Sequence, residues 1–197
     1  VYGITLQPSE LVKVLFVFFV AGMLHEAVDF KRIVLTSALA AAHVLLLVMS
    51  KDLGAALIFF VTYLVMLYVA SRQPLYFLGG LLAGSAAAWV AWKLFAHVQT
   101  RVLAWSDPFS VIDKEGYQIA QSLFAIGTGG WFGLGINQGM PYKIPVVEQD
   151  FIFSAIAEEM GILFALLLIF IYLSSFYMIL NIAIVLKDSY YKLVAVG

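Results

Sequence analysis

Five apolar runs, at about 9–24, 33–49, 53–70, 75–96 and 151–186, are each long enough to cross a hydrocarbon layer, which takes about 17–25 helical residues. Lipid offers a backbone no hydrogen-bond partners, so runs of this kind admit helices and little else. The fold expected is all-α: a polytopic transmembrane bundle of about five spans, forming one integral membrane domain over 1–197 with a large extracellular loop between the fourth and fifth spans. Composition agrees, with 63% hydrophobic and 12% charged residues against roughly 45–50% and about 25% in soluble domains. The last run exceeds one bilayer thickness, which calls for tilt or projection beyond the membrane. In the fourth run Gly80 and Gly84, four apart, suit close helix contact. Net charge is −1 and no basic stripe is present, so nucleic acid is excluded as a partner. The absence of cysteine removes disulfides, thiolate metal sites and iron–sulfur clusters. Because the chain opens on Val1 rather than a methionine, it reads as a piece of a longer protein.

Lysine and arginine in short loops set membrane orientation. Lys31, Arg32, Arg72, Lys187 and Lys192 gather in the first, third and terminal connections, while the short second one has only Lys51 beside Asp52. The first group is therefore expected on the cytoplasmic side, which places 97–150 and the starts of the first and third spans outside the cell. A connection of this length exceeds the ~12–15 residues beyond which loops are usually functional or disordered. Trp105, Phe109, Tyr117, Phe124, Trp131 and Phe132, with six glycines between Gly127 and Gly139, argue for order, hence an extracellular cap with short helices near 98–105 and 116–126. No internal repeat supports an inverted-repeat transporter.

Charges inside a bilayer cost at least ~2.5–3.5 kcal/mol at its centre, and here they gather near helix ends, a placement that fits an interfacial site better than a relay through the membrane. Glu10 and Lys13 are three apart on one helix face, either a structural ion pair or a fixed positive charge for a phosphate. Asp52 stands where the third span begins and Asp150 where the fifth begins, both suited to N-capping. Asp150, Ser154 and Glu158 are spaced four apart, which on one continuous helix puts the carboxylates ~12 Å apart, too far to share a proton. Glu158 and Glu159 lie within apolar sequence and each needs a partner. The run Gly127–Gly135 is either close backbone packing or an anion nest.

Several blocks resemble the FtsW/RodA/SpoVE (SEDS) family. Gln7-Pro8-Ser9-Glu10-Leu11-Val12-Lys13 resembles its QPSE-x-x-K segment, and Asp52-Leu53-Gly54-Ala55-Ala56 its DLGTA segment. Asp107-Pro108-Phe109, Gly116 to Ser122 and the glycines from Gly127 to Gly135 resemble its large extracellular loop. Asp150-Phe151-Ile152-Phe153-Ser154 with Glu158-Glu159-Met160-Gly161 resembles its DFIFS…EE-x-G block. The resemblance implies a ten-pass protein, of which these spans look like the fourth to eighth, in the bacterial cytoplasmic membrane. It implies a peptidoglycan glycosyltransferase that polymerises lipid II on the outer face, using a polyprenyl pyrophosphate-linked glycan and membrane lipids beside a class B penicillin-binding protein.

Carried over by block, Asp150 matches the family's catalytic aspartate and Lys13 its functionally important lysine. Gln7, Glu10, Asp52, Arg101, Gln118, Gln121, Ser122, Ser154 and Glu158 complete the expected substrate-binding set, with Arg101 as a second cation or a lipid-headgroup contact. Glu148-Gln149 before Asp150 depart from the His-Thr or His-Asn pair of many members. A neighbouring carboxylate there would raise the Asp150 pKa or help to hold a divalent cation. No cofactor is assigned beyond that option, and no metal ligands are chosen. The rival classes are a lipid-linked precursor flippase, which needs a continuous polar path, and a non-catalytic scaffold for a penicillin-binding protein, in which Asp150 would be dispensable.

Overall fold

The computed structural model describes residues 8–26 and 29–197; Gln7, the first residue of the expected binding set, lies outside them. Every regular element among the described residues is helical: α1 (Pro8–Leu24), α2 (Phe30–Met49), α3 (Leu53–Ser71), α4 (Pro74–Leu94), α5 (Ala96–Ser106), α6 (Tyr117–Gly129), a 3₁₀ turn (Pro141–Lys143), α7 (Ile152–Val185) and α8 (Ser189–Val196). Four of them, α2, α3, α4 and α7, are long and apolar enough to cross a membrane. The fifth expected span, α1, has 17 described residues, at the lower limit for a bilayer. The chain is a multi-pass helical membrane protein. Two compact units are present: Val1–Ala91 with Tyr177–Gly197, and Trp92–Phe176.

In the first unit α3 packs against α1, α2 and α8. Helix α3 starts where the Asp52 carboxylate accepts the Ala55 amide at 3.0 Å, and it ends at Arg72 in the left-handed region, with Pro74 opening the next helix. Its buried face sets Phe59 against Phe16 of α1, ring centroids 4.7 Å apart. Leu193 of α8, 2% exposed, joins the same core. Hydroxyls inside these apolar helices find partners, as lipid requires: fully buried Thr36 bonds the Arg32 carbonyl at 2.8 Å, and Tyr63 hydrogen-bonds Ser37 at 2.7 Å. The small residues of α4 serve close contact as expected, since Leu64 and Phe60 of α3 fill the space that a Cβ on Gly80 and Gly84 would need. In the α1–α2 connection Arg32 meets Glu26 at 2.6 Å. That hydrogen bond, then the guanidinium charge, holds the exposed Glu26 carboxyl below its ordinary range.

The second unit contains the segment expected to be ordered. Helices α5 and α6 occupy the places anticipated for short helices, and the Pro108 carbonyl stands where a Cβ on Gly116 would go, so the chain between them closes tightly on itself. Helix α7 was expected to be continuous. It is instead broken at Gly161, with φ 84° and ψ 168°, a backbone that only glycine adopts readily. From Ile162 to Val185 the helix runs about 36 Å at 1.5 Å per residue, close to one bilayer, so the excess length of the last apolar run lies largely before the break.

Candidate functional site

A broken helix leaves carbonyls on one side and amides on the other without partners. Two groups of each kind find partners in the glycine-rich chain that follows α6. Leu134 and Gly135 donate to the carbonyls of Glu158 and Glu159, each at 2.9 Å, while Ile162 and Leu163 donate to the carbonyls of Gly130 and Trp131 at 2.9 and 3.3 Å. The approach is backbone to backbone, since a Cβ on Gly133 would lie 2.2 Å from the Glu159 carbonyl oxygen and one on Gly161 would lie 2.4 Å from the Gly133 nitrogen. Of the two readings of the glycine run, close packing is the one this geometry favours: the Leu134 and Gly135 amides donate to α7 and the Gly133 amide to the Gly129 carbonyl.

Glu158 and Glu159 fasten the rest of this loop. Glu159 accepts the Asn137 amide at 3.1 Å. Glu158, 6% exposed, accepts the Met140 amide through Oε1 at 3.1 Å, and its Oε2 is buried without a partner. Gly139 lies against the same carboxyl group. The partners that the two glutamates needed are thus backbone amides of the loop.

Asp150 is exposed, and no hydrogen bond reaches its carboxylate among the described residues. The capping role expected for it does not hold. Helix α7 begins two residues later, and Phe151 fills the capping position by accepting the Ser154 amide at 2.9 Å through its carbonyl. The expected stripe of Asp150, Ser154 and Glu158 therefore loses its first member. Asp150 is placed by backbone instead, in a turn where Gln149 and Asp150 donate to the Val146 carbonyl at 3.1 and 3.2 Å. Val146 sits at φ 55°, a genuine outlier for a β-branched residue, at a cost of order 1–3 kcal/mol that the surroundings must offset. Ile144, 2% exposed, anchors the chain two residues earlier, and Gln118 of α6 donates to the Pro145 carbonyl at 3.2 Å.

The remaining expected residues divide by their surroundings. Ser122 and Ser154 are buried and share a hydrogen bond that ties α6 to α7, so these two hydroxyls are turned toward each other. Gln121 is half-buried and Arg101 is exposed, and Arg101 has no ion pair among the described residues. In the first unit the Lys13 ammonium pairs with Glu10 at 2.6 Å, as the structural reading of that spacing held. Half-buried Lys13 also borders an apolar recess with Phe16, Phe59 and Thr62. One Asp52 oxygen is engaged in capping α3. The described residues contain no group of three or more His, Asp or Glu side chains able to hold a metal.

Val146 and Pro145 were not singled out from sequence, and Gly161 entered only as the glycine of the EE-x-G block. Gly161 carried a signal, since a glycine following two glutamates inside an apolar run is costly unless the helix breaks there. Val146 carried none.

The family model FTSW_RODA_SPOVE, described as cell cycle protein, matches residues 1–197. Peptidoglycan glycosyltransferase RodA of Mycobacterium leprae (strain TN) is 35% identical, with the match covering 99% of this chain and 45% of that protein. RodA of Mycobacterium tuberculosis (strain ATCC 25618 / H37Rv) is 36% identical with the same coverage. The probable peptidoglycan glycosyltransferase FtsW of Geobacter sp. (strain M18) is 30% identical, over 99% of this chain and 55% of that protein. The chain spans about half the length of the curated relatives it matches.

Proposed function

This chain belongs to the FtsW/RodA/SpoVE family of cell cycle proteins, and on that premise we propose that it contributes the acid–base centre of a peptidoglycan glycosyltransferase. The reaction is polymerisation of lipid II at the outer face of the bacterial plasma membrane. The hydroxyl of one lipid-linked disaccharide attacks the anomeric carbon of a glycan carried on polyprenyl pyrophosphate. As the new C–O bond forms with inversion, the bond from the anomeric carbon to the pyrophosphate oxygen breaks, and the hydroxyl proton passes to a carboxylate. Asp150 is that carboxylate. The observation that carries the reading is its exposed carboxyl group, unused by any cap or ion pair among the described residues and held at the entry to α7 by a strained turn. A general base of this kind contributes about 10²–10⁴-fold.

The departing pyrophosphate gathers negative charge and needs a cation. Lys13, half-buried beside apolar side chains, is the candidate, with Arg101 as the exposed alternative. Glu10 then holds the ammonium until a phosphate displaces it. A class B penicillin-binding protein is the expected partner, and the segment 97–150 is the outer cap.

The test is lipid II polymerisation by the purified full-length protein and its Asp150→Asn variant. Because Asp150 caps nothing, the variant should accumulate and melt like the parent while polymer formation falls by about 10²-fold or more. Polymer at the parental level from Asp150→Asn would remove the catalytic assignment and leave a scaffold or a flippase as the reading to pursue.

A further inference from the structure

Among the described residues no hydrogen bond reaches the exposed Asp150 carboxylate, so the place where this residue stands is set by the backbone on either side. Both sides are gripped by the same helix. Five residues before Asp150, the Pro145 carbonyl accepts a hydrogen bond from Gln118 at 3.2 Å. Four residues after it, Ser154 shares a buried hydrogen bond with Ser122. Gln118 and Ser122 are four apart on α6 and so lie on one face, one turn from each other. Between these two grips stands Val146, at φ 55°, a left-handed backbone that persists only where its surroundings hold it.

We propose that α6 is the positioning element for Asp150 and that Gln118, through the Pro145 carbonyl, is a positioning residue rather than a substrate ligand. The inference rests on the reading of Asp150 as general base. The Gln118 Nε2 is engaged by protein backbone and the Gln118 side chain is half-buried, which leaves it poorly placed to recognise sugar. Release of the Pro145 carbonyl lets Val146 return to an ordinary backbone and swings the 146–150 turn, and a shift of about 1 Å at a reacting group costs on the order of 10²-fold in rate.

The experiment uses the full-length protein with lipid II as substrate and four variants: Gln118→Leu, Gln118→Glu, Asp150→Asn and the Gln118→Leu/Asp150→Asn double variant. Gln118→Leu should lower kcat by roughly 10- to 100-fold with KM for lipid II within about twofold of the parent, since a lost positioning contact acts on the transition state alone. In Gln118→Glu an ionised carboxylate faces the Pro145 carbonyl and repels it, whereas the protonated acid donates as the amide does. Its rate relative to the parent should therefore climb as pH falls toward the ordinary glutamate range, about 4–5. The double variant should be no slower than Asp150→Asn, because Gln118 acts only through Asp150.

A raised KM with unchanged kcat in Gln118→Leu would make Gln118 a substrate ligand, and a flat pH ratio for Gln118→Glu would show that no donor is needed; either overturns the proposal. Should Asp150→Asn prove active while Gln118→Leu is slow, the catalytic reading of Asp150 fails by itself and the positioning proposal falls with it. An additive double variant with Asp150→Asn inactive sinks the positioning proposal alone. If Gln118→Leu fails to accumulate, Gln118→Glu, which keeps the side-chain length, decides through its pH ratio.

Discussion

Gly133 and Gly161 stand in each other's side-chain space, and their substitution separates steric need from conformational taste. Gly133, at φ 79°, has the Glu159 carbonyl oxygen where a Cβ would go. Gly133→Ala therefore meets both a disfavoured backbone and a backbone clash, and should destabilise the protein by roughly 3 kcal/mol or more. Gly127 lies in the last turn of α6 with nothing near its missing Cβ, so Gly127→Ala should raise stability by a fraction of the ~1 kcal/mol expected in a helix interior. Thermal midpoints in one detergent measure both. Opposite signs are expected, and a Gly133→Ala protein that melts with the parent would deny the packing described. The sequence shows the glycines plainly. It does not show that one, about thirty residues further on, faces another, because no periodicity encodes a contact between a loop and a distant helix break. Glu158 illustrates the same limit: its need for a partner followed from its apolar neighbours, whereas the identity of that partner, the Met140 amide, followed only from the loop's path.

At the level of elements, α7 and the chain from Gly130 to Gly135 form one hydrogen-bonded unit. The amides of Ile162 and Leu163 would be free at the start of a new helical segment, yet here they donate to the loop. They should exchange with deuterium as slowly as amides within the helix. In Gly133→Ala they should speed up together with Leu134 and Gly135, since the four bonds stand or fall as a group. Fast exchange at Ile162 in the parent protein would mean that the loop is not seated. The existence and placement of most helices were legible from apolar length, as with α3 between Asp52 and Arg72. Helix starts were harder: Asp52 caps the helix that follows it, whereas Asp150, of the same residue type before a similar apolar run, does not. What differs is the turn at Val146, which uses the Asp150 amide and hands the cap to the Phe151 carbonyl, a local event that residue preferences do not report.

For the whole molecule, orientation is the property on which the chemistry depends. Cysteines placed at Thr100 and Lys114 of the full-length protein should react with an impermeant thiol reagent in intact cells whose outer envelope is permeable. A cysteine at Gln73, after α3, should react only once the membrane is opened, as the lysine and arginine distribution requires. The reverse pattern would put Asp150 on the wrong side of the membrane for an extracytoplasmic polymer. Membrane character and family were readable in full, because apolar length and short motif blocks are local properties of the chain. The way α6 brackets Asp150 was not, because it joins residues 118 and 122 to residues 145 and 154 across three separate segments. The break at Gly161 also bears on how the chain is made. Residues 130–135 leave the ribosome about thirty residues ahead of their partners at 158–163, which at roughly 5–20 residues per second is an interval of a few seconds. During it the loop has no partner in α7, so the four hydrogen bonds between them form only once residues 158–163 have followed.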